Sequence, residues 1–301
     1  MAADLLRDLP DIPVQPVEDP VLAAAGISLS VLRLDLVHPV ISGNKWFKLK
    51  YNLARARETG RNCLLTFGGS WSNHLHALAF AGAEFGFRTT GIVRGELPDP
   101  LNACLQDARN AGMHLSGISR HDYGRRHDPA LIADLEDQHG PFHLIPEGGA
   151  NIEGVRGCSE IPVLYPQADF DLVCLACGTG TTLAGMATTS KVPLMGFQVL
   201  KGQGYLAGTV RGMIRTHGLT ERSPWSVDDT FHFGGYARVS PQLMHFLTEF
   251  QARHGIPLEP VYSAKLLYGI FALAKKRDIF PQNSRILAIH GGGLQGLRGY
   301  F

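Results

Sequence analysis

The sequence predicts an α/β protein of two lobes, each a mainly parallel sheet flanked by helices. Three observations predict it. From residue 61 to residue 145, short apolar runs alternate with helical patterns. A second series of the same kind runs from near Gly154 to residue 289. Glycine-led turns stand between strand and helix in both series, at Gly68 and Gly69 and again at Gly178 and Gly180. The length supports this reading, because 301 residues with 45% hydrophobic and 18% charged can bury a core of that size.

Residues 1–26 form a leading segment with prolines. Residues 27–37 alternate, with Ile27, Leu32, Leu34 and Leu36 set against Ser28, Ser30, Arg33 and Asp35, which predicts a strand ended by His38 and Pro39. The stretch Ser42, Gly43, Asn44, Lys45 opens a helix over 45–57, in which apolar Phe47, Leu49, Tyr51 and Leu53 mix with Lys48, Lys50 and Arg55. A lysine in the first turn of a helix meets the positive end of the dipole, so the site favours the neutral amine, a nucleophile able to form a Schiff base. The first series then predicts strands over 63–67, 89–93, 113–118 and 142–145, with helices over 73–85, 102–110 and 130–138. The second predicts strands over 172–177, 194–199 and 285–289, with helices from Thr182 and over 207–217, 241–254 and 262–275. Ligands commonly sit between such lobes and at the C-terminal ends of parallel strands.

The net charge is +1 with no basic cluster, which argues against nucleic acid or an anionic membrane as partner. The first eight residues carry two acids and no long apolar core, so they do not read as a secretory signal. The longest uncharged run, 172–190, is broken by glycines and rich in Ser and Thr, so it reads as strand, loop and helix rather than a membrane span. Five scattered cysteines point to reduced thiols in the cytoplasm. Cys174 and Cys177 form a C-x-x-C, but residues three apart on a strand face opposite ways, so core packing is the better reading. His74 and His76 lack a carboxylate or cysteine to complete a metal site, and none is expected.

Gly178, Thr179, Gly180, Thr181 and Thr182 lie between a buried strand and a helix, where backbone amides can turn toward an anion, most naturally a phosphate. No Lys-Ser/Thr pair closes this turn as in a nucleoside-triphosphate loop. It also departs from the dinucleotide fingerprint, whose third glycine would fall at Leu183. Ser72 and Asn73 stand at the start of another helix, where they could cap it and where exposed amides would suit a carboxylate. Glu147 with Gly148 and Gly149, Tyr262 with Ser263 and Lys265, and His290 with Gly292 and Gly293 occupy further junctions.

Taken in order, these pieces resemble the 1-aminocyclopropane-1-carboxylate deaminase and D-cysteine desulfhydrase family, pyridoxal 5′-phosphate enzymes of the tryptophan-synthase β-like fold. The resemblance runs from about Ile27 to Tyr300. It implies a large cofactor-binding domain, 1–48 with 154–301, and a small α/β domain, 49–153. By the family's motifs, Lys45 matches the lysine that holds the cofactor and then moves protons. Asn73 matches the residue bonded to the cofactor's phenolic oxygen, and Ser72 with neighbouring amides matches the substrate-carboxylate site. The turn from Gly178 to Thr182 matches the phosphate cradle. Tyr262 matches an active-site tyrosine, and Tyr236 matches a second with looser spacing. Ser263 stands where ring-opening members carry glutamate and desulfhydrating members carry Ser or Thr, beside the pyridine nitrogen. Gly291 stands where ring-opening members carry leucine. The sequence departs from the family at Ser42, Phe47, Lys50 and His74, where glycine, a basic residue, an acid and glutamine are usual.

The resemblance implies β-elimination on a small amino acid, D-cysteine first, giving pyruvate, ammonia and sulfide. The alternatives are a cyclopropane-opening deaminase, a serine dehydratase or racemase, and a non-catalytic pyridoxal-phosphate- or metabolite-binding protein. A homodimer is the expected assembly.

Overall fold

Two sheets divide the chain, and residues between 63 and 145 build the smaller one. The structure is a computed structural model that describes residues 9–276 and 279–300. In chain order its elements are β1 (Val14–Val17), α1 (Pro20–Ala25), β2 (Ser28–Leu32), α2 (Asn44–Glu58), β3 (Cys63–Gly68), α3 (Asn73–Phe85), β4 (Arg88–Arg94), α4 (Ala103–Asn110), β5 (His114–Ile118), α5 (Arg120–Gly124), α6 (Pro129–His139) and β6 (His143–Ile145). They continue with α7 (Ile152–Cys158), β7 (Leu172–Cys177), α8 (Thr181–Ala187), β8 (Leu194–Gln198), α9 (Tyr205–Thr216), β9 (Trp225–Asp228), α10 (Pro241–His254), α11 (Ser263–Lys276) and β10 (Arg285–Ile289).

The larger sheet has the order β1-β2-β10-β7-β8-β9, and the smaller has the order β5-β4-β3-β6. Among the strand pairings of the described residues, only β1–β2 is antiparallel. Parallel strands need covering on both faces, which is why β3 is buried along its whole length and reads as a continuous apolar run.

One apolar cluster joins the sheets, with Leu32, Phe47 and Leu53 packed among Leu64, Leu75, Val173, Leu183 and Leu287. A second lies on the other face of the larger sheet beneath α10 and α11, and a third on the outer face of the smaller sheet. Fully burying a side chain such as Phe47 contributes about 1.5–3 kcal/mol, so this shared core holds the lobes together. A half-buried amide pair reinforces it, Asn151 Nδ2 donating to Asn52 Oδ1 on α2 at 2.7 Å. Cys174 and Cys177 belong to different clusters on opposite faces of β7, in keeping with packing roles. No helix among the described residues is long and apolar enough to cross a membrane.

The strand expected over 27–37 is shorter, because β2 ends at Leu32 and a 3-10 turn, Leu34–Leu36, follows. The Arg33 guanidinium forks onto the buried Asp35 carboxylate at 2.9 and 2.7 Å, and this local pair replaces the alternation. The leading segment holds β1 and α1. Asp19 caps α1 by accepting from Val21 N–H, and Pro20 sits at its first position. The short elements α5 and β9 also go beyond the sequence expectation.

Candidate active site

A cleft of about 540 Å³ opens where the C-terminal ends of β3, β4, β7 and β10 converge. Its size suits a cofactor together with a small substrate. Lys45, Ser72, Asn73, Gly178, Thr179, Gly180, Thr182, Tyr236 and Tyr262 all line it. Thr181 and Ser263 are buried behind it.

Lys45 is placed by a backbone-on-backbone contact. Gly43 has φ +68°, and a side chain there would run into the Gly291 carbonyl in the loop after β10. That contact fixes the start of α2 against the larger sheet. Lys45 Nζ donates to Asn44 Oδ1 at 2.8 Å, and Asn44 Nδ2 donates to Thr182 Oγ1 at 2.9 Å. The Asn44 side chain therefore links the lysine amine to the glycine turn. Lys48 points elsewhere, its Nζ donating to the Gly148 carbonyl at 2.9 Å.

The Lys45 amine is held down at about 7, first by burial and then by the Lys48 charge. The helix start is thus a lesser reason for the neutral amine than the sequence alone indicates. Lys48 is also lowered, chiefly by burial. A pH dependence follows from the sign of these shifts. The rate at which apoprotein captures pyridoxal phosphate should rise with pH through a midpoint near 7. Lys48→Met removes a neighbouring charge that lowers Lys45, so the midpoint should move up. A midpoint that stays in place, followed by stopped-flow absorbance, would contradict this assignment of causes.

The first turn of α3 forms the second wall. Ser72 caps the helix, its Oγ accepting from Leu75 N–H at 3.2 Å. Asn73 Oδ1 accepts from Gln295 Nε2 at 2.7 Å, so the far C-terminal segment orients the asparagine. His74 is only 2% exposed, lines the cleft, and has neither ring nitrogen hydrogen-bonded among the described residues. Burial, then Lys45 and Lys48, hold its pKa well below the ordinary histidine range, so the ring is neutral. Two unpaired nitrogens in a buried ring mark a place built to meet a polar ligand.

The third wall is the turn after β7. The N–H groups of Thr179 and Gly180 and the first amides of α8 find no acceptor among the described residues. The hydroxyls are largely engaged: Thr179 Oγ1 lies 2.9 Å from Thr181 Oγ1, and Thr182 receives the Asn44 amide. The backbone is therefore the main anion donor here. Tyr205 OH donates to the Gly178 carbonyl at 2.7 Å and closes the turn from outside.

Tyr236 and Tyr262 meet edge to face, ring centroids 6.4 Å apart. Burial, followed by mutual repulsion and Glu259, raises the Tyr262 hydroxyl well above its ordinary value, so it is a proton donor and not an anion. The loop carrying Tyr236 is anchored by Lys265, whose Nζ donates to the carbonyls of His232 and Gly235 at 2.9 and 2.7 Å. The Glu259 carboxylate accepts N–H bonds from Val261, Tyr262 and Ser263 and so caps α11. The Ser263 hydroxyl accepts from Glu259 N–H at 2.8 Å and faces the Glu259 carbonyl and carboxylate, both at 3.2 Å. His290 supports the loop behind the cleft, its Nε2 2.8 Å from the Pro257 carbonyl and its Nδ1 accepting from Gly292 N–H.

Asn44, Tyr205, Gln295 and the bonding of Lys265 are the parts that the sequence reading did not assign. Asn44 is the one with a local signal, a hydrogen-bonding amide directly before the lysine.

The chain matches known proteins along nearly its whole length. The profile of the family described as pyridoxal-phosphate dependent enzyme matches residues 18–292. An Arabidopsis thaliana protein named bifunctional D-cysteine desulfhydrase/1-aminocyclopropane-1-carboxylate deaminase, mitochondrial, is 30% identical over 90% of this chain and 74% of its own. A Serratia proteamaculans protein named D-cysteine desulfhydrase is 23% identical over 91% of this chain and 89% of its own. The crystal structure of an ACC deaminase homologue superposes with a TM-score of 0.79 at 24% identity, over 99% of this chain and 96% of that one, which is a likeness of fold. With that fold, the family profile over most of its length and a lysine amine held near neutrality in the cleft, this chain belongs to the pyridoxal-phosphate-dependent enzymes.

Proposed function

We propose that the protein catalyses β-elimination on a small amino acid, with D-cysteine as the first substrate, releasing sulfide, pyruvate and ammonia. The observation that carries the choice is the residue after Tyr262. Ser263 puts no carboxylate there, and its hydroxyl is committed to Glu259. Glu147, the acid among the described lining residues, is paired with Arg126 at 3.1 Å. Such a site would set no carboxylate beside the cofactor ring, which suffices where a good leaving group such as thiolate departs promptly.

The residues fit pyridoxal 5′-phosphate. A buried amine, a turn of free amides and the unpaired nitrogens of His74 supply a covalent anchor, an anion cradle and polar partners. Bound at Lys45, the cofactor supplies an electron sink for negative charge developing at the substrate's α-carbon. The amides from Thr179 to Thr182 would hold its phosphate, and the Asn73 side chain, fixed by Gln295, would face its ring. Ser72 and the first amides of α3 take the substrate carboxylate. Once the substrate's own amine takes its place, the freed Lys45 amine would accept the α-proton, suited to that task by a pKa near 7. The Cβ–S bond breaks with its electron pair on sulfur, and the remaining enamine takes up water to give pyruvate and ammonia. Tyr236 and Tyr262 wall this space from solvent. Five buried free thiols support a reducing, cytoplasmic setting.

Ring opening of 1-aminocyclopropane-1-carboxylate is the competing reading, because the Arabidopsis relative is named for both activities. A panel of D- and L-amino acids with the cyclopropane substrate, scored for sulfide, ammonia and keto acid, separates them. Sulfide and pyruvate from D-cysteine are expected, with little ammonia from the cyclopropane. Rapid turnover of the cyclopropane would falsify the choice.

A further inference from the structure

Two arginines face the cleft that the chemistry above does not use. Arg94 ends β4, and Arg126 follows α5. Their guanidinium carbons lie 5.8 and 5.1 Å from the ring centroid of Tyr123, a side chain only 4% exposed. One buried ring therefore carries both cations. Their neighbours differ. Arg126 Nε lies 3.1 Å from Glu147 Oε2, and its Nη1 donates to the Tyr123 carbonyl at 3.2 Å. Arg94 makes no ion pair with an acid among the described residues. One of its terminal nitrogens lies 3.9 Å from the point where a side chain on Gly69 would begin, so it overhangs the turn leading to Ser72.

The charge around the cleft is lopsided. Lys45, Lys48, Arg94 and Arg126 line it, against Glu147 as the acid among the described residues. Lys45 is the cofactor anchor, Lys48 is bonded to the Gly148 carbonyl, and Arg126 is matched by Glu147. Arg94 remains, a permanent charge whose planar fork suits an oxyanion. The substrate's α-carboxylate already has Ser72 and the first amides of α3.

We infer that Arg94, with Arg126 beside it, selects amino acids whose β-substituent carries its own negative charge, such as a phosphate ester. This rests on the β-elimination reading and names the substrate class of that same site. The step balances as it does for thiolate. The Cα–H proton passes to Lys45, the Cβ–O bond breaks, and phosphate leaves with the bonding pair. The enamine then takes up water to give pyruvate and ammonia. His127 also lines the cleft, and burial lowers its pKa, so it adds no competing charge near neutral pH.

The test compares O-phosphoserine with serine and cysteine, both enantiomers of each, on holoenzyme of wild type, R94Q and R94K. Turnover and the change in cofactor absorbance on titration are both read. Wild type should favour O-phosphoserine over serine by about tenfold or more in kcat/KM. R94Q should erode that preference by about tenfold to a hundredfold, through KM, the loss expected for a charge-assisted hydrogen bond. R94K should recover part of it. Wild type without a preference for the charged substrate overturns the inference. So does an equal loss on all substrates in R94Q, which would assign Arg94 to the α-carboxylate or to folding. Charged-selective titrations that depend on Arg94, with no keto acid from any amino acid, would keep the selection and reject elimination. Keto acid from neutral amino acids without selectivity would do the reverse.

Discussion

Lys45→Arg protein is expected to lose keto-acid formation by about a thousandfold or more, the scale seen when a covalent and proton-moving group is removed. Arginine keeps the length and an N–H donor, so the contact with Asn44 Oδ1 can persist. Its pKa stays above about 12, so it neither attacks a carbonyl nor accepts a proton at neutral pH. The protein should still bind pyridoxal phosphate through the turn after β7, but release it on dialysis. Lys48→Arg is the matched control. Lys48 serves the Gly148 carbonyl through a hydrogen bond that arginine can also donate, so covalent attachment of the cofactor should survive. If Lys45→Arg retained full turnover while Lys48→Arg lost the cofactor, the roles of the two lysines would be reversed.

Gly180→Val is expected to be the most damaging single change in the phosphate turn. Gly180 has φ +81°, a conformation that a β-branched residue resists. A Cβ there would lie 2.8 Å from Val210 Cγ2 and 3.1 Å from Leu206 Cδ1, so the substitution forces the turn away from α9. The two effects together come to roughly 2–6 kcal/mol, from about 1–3 each for backbone strain and overpacking. The sequence alone suggests that a side chain at 180 blocks the approach to the phosphate. The geometry locates the clash on the other side, with α9, so the damage reaches the phosphate by moving the amides. Cofactor affinity and thermal unfolding should fall together. Thr179→Ala, which removes a hydroxyl engaged with Thr181, should weaken binding far less, by about 0.5–1.5 kcal/mol. Wild-type cofactor affinity in Gly180→Val would remove the turn from the site.

Elements with a strong local pattern were legible in the sequence. The strand at 172–177 and the helix at 241–254 have the bounds their residues predict, because a buried parallel strand is a bare apolar run and Ser240 with Pro241 signals a helix start. The missed strand β9 is a four-residue, half-exposed edge whose Trp-Ser-Val-Asp sequence carries little pattern. The 3-10 turn after β2 depends on a buried Arg33–Asp35 pair, and alternation alone does not reveal that burial.

The site was legible in a different way. Its glycine turns and its lysine stood out as motifs, and their order along the chain carried the resemblance. What the residues could not reveal is who meets whom. Asn44 reaches Thr182, Gln295 orients Asn73, and Lys265 holds the loop of Tyr236, each across a long stretch of chain. Ser263 shows the same limit. Its position follows the family pattern, while its hydroxyl is held by the Glu259 cap. Burial was also hidden. The Lys45 amine is held down near 7 mainly because the fold dries it and sets Lys48 nearby, a cause the helix-start argument ranks too low.

The central claim is that the cleft around Lys45 is where the cofactor is held, and a peptide map tests it most directly. Purified holoenzyme is reduced with borohydride, digested, and read by mass spectrometry. The pyridoxyl label is expected on Lys45, in protein that is yellow before reduction and colourless after it. A label on Lys48, or on any lysine outside the cleft, would contradict the site, as would colourless protein that takes up no cofactor on reconstitution.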